Sequence, residues 1–310
     1  MPAAATPDAR TVQDRYIVYS GKTPPPRVSD TQASCAGKAM SQPLDLVMPE
    51  VIARYLRTSF VGRTMLYTST TGSTNDDAKA LAADYPEGTV FVAESQSGGK
   101  GRIGRRWSSP PGAVSMSVLL RPKIPPSGAP ALSLVAGYAV AMAIRDRLDL
   151  DARMKWPNDV LVGVRKVCGV LCEMRAEAGR VAEVIAGIGI NANTGPDELP
   201  PEVRDSAASL KVLAGRTVNR NRLIADVLGH LEIAYRDFLS RGLEGLAPKI
   251  MAVCAFLGEP VSVRNLTAAD HGEVLGVFQG IDVEGRALLK LPGGETRTFA
   301  AGDLSLRVQP

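Results

Sequence analysis

Apolar residues along this chain keep two different periods, and where those periods fall limits the fold more than any single motif does. Leu134, Tyr138, Ala141, Ile144 and Leu148 recur at helical spacing, as do Leu223, Ile224, Val227, Leu228, Leu231, Tyr235 and Phe238. These stripes predict amphipathic helices over 131–148 and about 221–240. Between and before them, "TVFVAES" (89–95), the alternation Val114, Met116, Val118, Leu120, and apolar runs near 153–162, 166–175 and 181–190 read as strands. Past residue 257 the helical period stops. "VSVRN", "VLGVFQGID", "ALLKLP" and "TRTFA" are set apart by glycine turns at Glu284-Gly285 and Gly293-Gly294, the spacing of a small antiparallel barrel of about five strands.

Residues 1–45 carry neither period. They are rich in Pro, Ala, Ser and Thr and read as a disordered extension, with Met40 and Met48 leaving a later translation start open. No helix-turn-helix pattern precedes Pro49. Three segments follow: the extension 1–45, a larger α/β unit over 46–256 and the barrel over 257–310. In the larger unit "PEVIARYLRT" (49–58) starts a helix on proline, "SFVGRTMLYTSTT" reads as a strand running into a loop, and Ser73 reads as the N-cap of a helix through Ala83.

The net charge of +4 and pI near 8.9 are mild, with both signs spread along the chain, unlike a histone-like polycation. Cys35, Cys168, Cys172 and Cys254 form no CxxC pair and, with only His230 and His271, make a zinc site improbable. Cys168 and Cys172 lie in an apolar run and read as buried thiols, consistent with a reducing cytoplasm. Neither a signal peptide nor a membrane span is predicted.

The segment "GGKGRIGRRW" (98–107) sets Gly98, Gly99, Gly101 and Gly104 among Lys100, Arg102, Arg105 and Arg106, ending on Trp107. Close backbone approach plus positive charge suits a phosphate or carboxylate. A nucleic-acid patch and a solvated mobile loop remain open on composition. A Walker loop is excluded because Gly101, not Ser or Thr, follows the lysine, and a dinucleotide GxGxxG fits poorly with cations between the glycines. In "KWPNDVLV" (155–162) Pro157 turns the chain so that Asn158 and Asp159 face either a cleft or an ordinary Asx-turn. Lys166, at the mouth of "KVCGVLCEM", either snorkels or meets an anion. "GSTND" (72–76) puts hydroxyls and an amide at a helix start, and "AGIGINAN" (186–193) places Gly187 and Gly189 in an apolar strand just before Asn191.

Taken in order, "GSTND", "ESQSGGKGRIGRRW", "KWPNDVLV", "KVCGVL" and "GIGIN", followed by a small barrel, resemble the biotin protein ligases over about residues 60–308. The resemblance implies an α+β fold: a catalytic domain with a mixed sheet flanked by helices, as in class II synthetases and biotin–lipoate ligases, plus a C-terminal SH3-like barrel. It further implies activation of biotin by ATP and Mg2+ to biotinyl-5'-AMP, and transfer of biotin to a lysine of an apo biotin carboxyl carrier protein of acetyl-CoA carboxylase or a related carboxylase. Carried over residue by residue, Lys166, Arg102 and Asp159 are catalytic. Ser73, Thr74, Asn75, Gln96, Lys100, Gly101, Arg102, Lys166, Gly169 and Gly187 hold biotin. Arg102, Arg105, Trp107, Asn158, Lys166 and Asn191 hold the nucleotide, with Trp107 stacking on adenine and Gly189 on the site's floor. Asn158 and Asp159 are the candidates for Mg2+. Lys100 departs from the arginine frequent in the family, exchanging a bidentate fork for a point charge. The form expected is the one without an N-terminal DNA-binding domain: no nucleic acid, no membrane, a cytoplasmic location, and a homodimer left open. A lipoate or octanoate ligase of the same superfamily and a nucleic-acid binder using the basic loop are the alternatives.

Overall fold

The computed structural model describes residues 9–20, 45–265, 273–300 and 304–308. Its larger sheet has eight strands: β1 (Ile17–Ser20), β2 (Thr64–Thr71), β3 (Val90–Gln96), β4 (Val114–Leu120), β5 (Ala152–Lys155), β6 (Asp159–Val162), β7 (Arg165–Glu177) and β8 (Arg180–Ile190). They lie in the order β1-β2-β3-β4-β8-β7-β6-β5. Only β2 and β3 run parallel, because α3 (Thr74–Leu81) crosses over between them; the other pairs are antiparallel.

Both faces of this sheet are covered, and alternation along its central strands sorts the side chains between them. Val114, Met116, Val118 and Leu120 of β4 and Val184, Ala186, Ile188 and Ile190 of β8 join the main core, under α4 (Ala131–Leu148) and α6 (Arg220–Ala252), with α2 (Pro49–Tyr55) packed on α6 and the short α5 (Leu210–Ala214) preceding it. The opposite face holds a smaller cluster in which Leu66, Phe91, Leu119 and Ile185 pack against Ala78 and Leu81 of α3. On that same second face the strands carry small residues, Ser115 and Ser117 opposite Gly189 and Gly187.

The predicted 131–148 helix forms at those bounds, but it is less amphipathic than its stripe suggests. Leu134, Ala136, Gly137, Ala139, Val140, Ala141, Ala143 and Ile144 are all buried, since α6 lies along the side turned away from the sheet. With the turn before it, this helix is long and apolar enough to cross a membrane by length and composition, and its burial is that of a core helix. The 221–240 helix is found from Arg220 but continues to Ala252. At Gly242 the backbone turns left-handed (φ 66°), ending one helix and starting another. The 153–162 run is a hairpin rather than one strand: β5 and β6 flank a turn with a cis Trp156–Pro157 bond.

Residues 9–20 correct the expectation that all of 1–45 is disordered. They form α1 (Ala9–Gln13) and β1, and Val12 and Tyr16 are buried in the cluster that α3 shares with the sheet. No apolar period announces them, because two side chains suffice to anchor so short a segment. Residues 1–8 and 21–44 lie outside the described residues.

The C-terminal unit is a five-stranded antiparallel sheet in the order β12-β11-β10-β9-β13, built from β9 (Pro260–Asn265), β10 (Glu273–Ile281), β11 (Ala287–Lys290), β12 (Thr296–Phe299) and β13 (Leu304–Val308). It is docked on the larger unit at the turn between β5 and β6: the Trp156 indole N–H donates to the Gly285 carbonyl at 3.0 Å. Gly285 itself sits against Leu134 and Leu243, with no room for a Cβ.

Candidate active site

One cavity of about 670 Å3 opens on the second face of the sheet, and every residue proposed from the sequence lines it. Ser73, Thr74, Asn75, Gln96, Gly101, Arg102, Arg105, Trp107, Asn158, Asp159, Lys166, Gly169, Gly187 and Asn191 face this space, Lys100 borders it with its ammonium turned away, and Gly189 lies in its floor. The structure brings them together from β3, the 98–107 loop, the start of α3, the β5–β6 turn, β7 and β8.

One end is made by the start of α3. Ser73 has extended backbone (φ −160°) as an N-cap should, yet its hydroxyl makes no capping bond. Gln96 of β3 does that work: its Oε1 accepts from the Thr74 N–H at 2.8 Å and the Thr74 hydroxyl at 3.1 Å, while its Nε2 donates to Ser109 Oγ at 2.8 Å. Asn75 is equally fixed. Its Oδ1 accepts from Ser117 Oγ at 2.6 Å, and its Nδ2 donates to Glu173 Oε2 at 2.7 Å. Thr74 and Asn75 are about 3% and 5% exposed, so buried amide and hydroxyl groups here keep partners, as burial demands. Below them a Cβ on Gly187 would overlap the Asn75 amide. The glycine exists to admit that side chain.

At the other end Lys166 faces Asp159 at 2.5 Å. Its aim comes from a bulge: Leu161 pairs with Lys166 and Val160 with Cys168, leaving Val167 as the extra residue. In a regular ladder Lys166 would share a face with Cys168, which is buried in the core; one inserted residue turns the lysine to the cavity. The strand is held from the outside as well, for Lys166 N–H donates to Ser206 O and Ala208 N–H to Lys166 O. Arg102 Nη1 donates to Asn158 Oδ1 at 3.2 Å, and Asn158 Nδ2 donates to Val170 O at 2.7 Å. Trp107 lies on Gly189, which has no space for a Cβ beneath the indole, and on Gly169, where a Cβ would press tightly on the ring, and Lys166 Nζ is 5.4 Å from its ring centroid. Buried Trp107 Nε1 has no hydrogen-bond partner among the described residues.

The 98–107 loop is a closed hairpin rather than the solvated mobile loop that its composition left open. Gly101 N–H donates to Arg105 O, and Trp107 N–H to Gly99 O, with Lys100 and Arg106 bridged. Ile103 (φ 57°) and Gly104 (φ 68°) are both left-handed, as a type I′ turn requires. A β-branched residue is strained there. Lys100 does not point inward: its Nζ pairs with Asp76 of α3 at 2.7 Å. Burial pushes the Asp76 carboxyl up, but the hydrogen bond and charge of Lys100, helped by Lys79, outweigh it and hold the group below the usual aspartate range.

Sequence reasoning missed the wall over 199–207, where Leu199, Pro200, Glu202, Val203, Ser206 and Ala207 line the cavity. Their only signal is a pair of prolines, which favours turns without saying what the turns cover. For metals, no group of three or more His, Cys, Asp or Glu among the described residues is placed to hold an ion. Asp159 and Asn158 are the oxygen donors here: Asp159 Oδ1 pairs with Lys166 and Asn158 Oδ1 accepts from Arg102, while the second carboxylate oxygen of Asp159 stands outside that ion pair. A thiol nucleophile has no support either. Burial pushes Cys168 above the ordinary thiol range despite the nearby Lys166, and raises Cys172 to about 11.

Residues 66–191 match the model of the biotin/lipoate A/B protein ligase family, and residues 256–307 that of the biotin protein ligase C terminal domain. The chain is 37% identical over 248 residues to the bifunctional ligase/repressor BirA of Bacillus subtilis, covering 79% of this chain and 75% of that one. It is 32% identical over 272 residues to the biotin--[acetyl-CoA-carboxylase] ligase of Mycobacterium tuberculosis, covering 84% and 97%. Among solved structures, the biotin protein ligase from Aquifex aeolicus, in complex with biotin and ATP, matches with a TM-score of 0.68 and 29% identity over 79% of this chain and 99% of that one.

Proposed function

Because the chain belongs to the biotin/lipoate A/B protein ligase family, we propose that it is an ATP-dependent biotin–protein ligase that forms biotinyl-5'-AMP and passes biotin to a carrier lysine. The observation that carries this reading is the joining, in one cavity, of a neutral, fully hydrogen-bonded end at Thr74, Asn75 and Gln96 with a cationic end at Arg102, Arg105 and Lys166. An uncharged ureido ring suits the first; a carboxylate meeting a triphosphate needs the second.

In the first half-reaction a biotin carboxylate oxygen attacks the α-phosphorus, and the bond to the bridging oxygen breaks so that pyrophosphate leaves with its electron pair. Lys166 and Arg102 offset the repulsion between the two anions and stabilise the charge that develops. Asp159 fixes the Lys166 ammonium by its ion pair. Trp107 gives adenine a face, its indole supported from behind by Gly189. In the second half-reaction the neutral carrier amine attacks the acyl carbon, the bond to AMP breaks and the amine loses a proton. The residues fit an Mg2+ ion that arrives with the triphosphate: Asp159 and Asn158 would add one oxygen each to ligands that the phosphates supply. Magnesium so placed would neutralise phosphate charge.

The carrier is read as a biotin carboxyl carrier protein, an inference supported by the ligase names of the relatives. A cytoplasmic location is supported by the free thiols of Cys168, Cys172 and Cys254. Incubation with labelled biotin, ATP, Mg2+ and an apo carrier domain should label the carrier. Transfer of lipoate or octanoate instead would move the chain to the sister branch of the family.

A further inference from the structure

We infer that the N-terminal segment 9–20 is a working part of the biotin end of the site, with Tyr16 acting as a positioning residue through Asp77. This deepens the ligase reading above and rests on it.

Asp77 stands in the first turn of α3, two residues past Asn75, and its side chain is only 3% exposed. Three groups converge on its carboxylate. Tyr16 O–H donates to Oδ2 at 2.6 Å, the Thr71 hydroxyl donates to the same oxygen, and Arg15 Nη2 lies 3.5 Å from Oδ1. A carboxylate buried so deeply requires such partners, and two of the three come from a segment that lies before the larger unit's first helix. Tyr16 is itself held by an edge-on contact with Phe91 (6.0 Å, 86°).

What Asp77 joins is the frame of the site. Its own N–H donates to Ser73 O, closing the turn that presents Thr74 and Asn75. Thr71, on the other side, accepts at its carbonyl from Ser97 N–H, and Gly72 accepts from Gly98 N–H. The carboxylate therefore ties the start of α3 to the strand end from which the root of the glycine loop hangs. Tyr16 touches neither ligand space nor reacting atoms, since it does not line the cavity. Its contribution is to hold Asp77, and through it the Thr74–Asn75 pair, in the geometry that meets the ureido ring. Among the described residues segment 9–20 bonds to β2, Tyr85 and Asp77, away from the nucleotide end built on β7 and the β5–β6 turn.

The test is a split between substrates. Biotin-dependent pyrophosphate release is measured on the full chain for wild type, Tyr16→Phe, Thr71→Val and Val12→Ala, titrating biotin at saturating ATP and ATP at saturating biotin. Removing one hydrogen bond to a buried charge should raise the KM for biotin by roughly 5-fold in Tyr16→Phe, with the KM for ATP unchanged. Thr71→Val acts on the same oxygen from the other side and should shift the same constant. Val12→Ala removes apolar packing without touching Asp77, so it should lower Tm and leave both KM values in place. Equal KM values for biotin in wild type, Tyr16→Phe and Thr71→Val would overturn the positioning role while leaving the ligase reading intact. Wild-type pyrophosphate release that ignores biotin would instead sink the ligase reading itself.

Discussion

At the α3 end of the cavity Thr74, Asn75 and Gln96 already hold protein partners, whereas at the Lys166 end Trp107 Nε1 has none among the described residues, Lys166 faces Asp159, and Arg102 donates to Asn158. A neutral ligand can be met by amides and hydroxyls that are fixed in advance, and a preset geometry reduces the ordering cost of binding. An anionic reaction centre needs something else: charges held near one another that become fully compensated only when phosphate arrives. The same β8 strand serves both, through Gly187 under Asn75 and Gly189 under Trp107.

The largest effect should come from the cationic end. Lys166→Ala is expected to lower adenylate formation on the order of 10²- to 10³-fold, with a much smaller loss in the binding of biotin alone, followed by calorimetry. Near-normal turnover would dissolve the distinction between the two ends. Next come the paired glycines, whose φ angles leave alanine unstrained, so that only the collision counts. Gly187→Ala pushes on the Asn75 amide and should raise the KM for biotin about 10-fold; Gly189→Ala pushes on the indole and should raise the KM for ATP by about as much. If both variants moved the same constant, the ends would not be separate. Smallest is the outward ion pair of the loop. Lys100→Ala should speed release of the adenylate by no more than about 3-fold, an effect that shrinks as salt rises, because both partners are substantially exposed.

That last pair also has a pH signature. Asp76 is held below its ordinary value in the folded protein, so its contribution is present in full above the ordinary aspartate pKa of about 3.9 and is lost as pH falls through the lowered value. Adenylate retention, read by rapid filtration, should therefore differ little between pH 8 and pH 5. A loss already at pH 6 would mean that another group closes the loop.

The fold was legible wherever one period ran long enough. The 131–148 helix is visible because eighteen residues repeat one pattern, and the barrel because glycine turns punctuate its strands. Residues 9–20 were not, since a five-residue helix and a four-residue strand leave no period to read. Site residues were legible as types: cations among glycines, an amide at a helix start, a lysine at a strand mouth. Their partners were not. Lys100 turns outward to Asp76, Ser73 leaves the capping to Gln96, and the wall over 199–207 carries no chemical motif.

By itself the sequence determined the two units, the order of their elements and the set of groups able to handle a carboxylate and a phosphate, because periodicity and side-chain chemistry are local properties. Only the tertiary structure decided which of those groups meet. A single extra residue at Val167 turns Lys166 out of the core and into the cavity, and Asp77 finds Tyr16 across 61 positions of chain. Register and long-range contact set both outcomes, and neither is written in any stretch short enough to read alone.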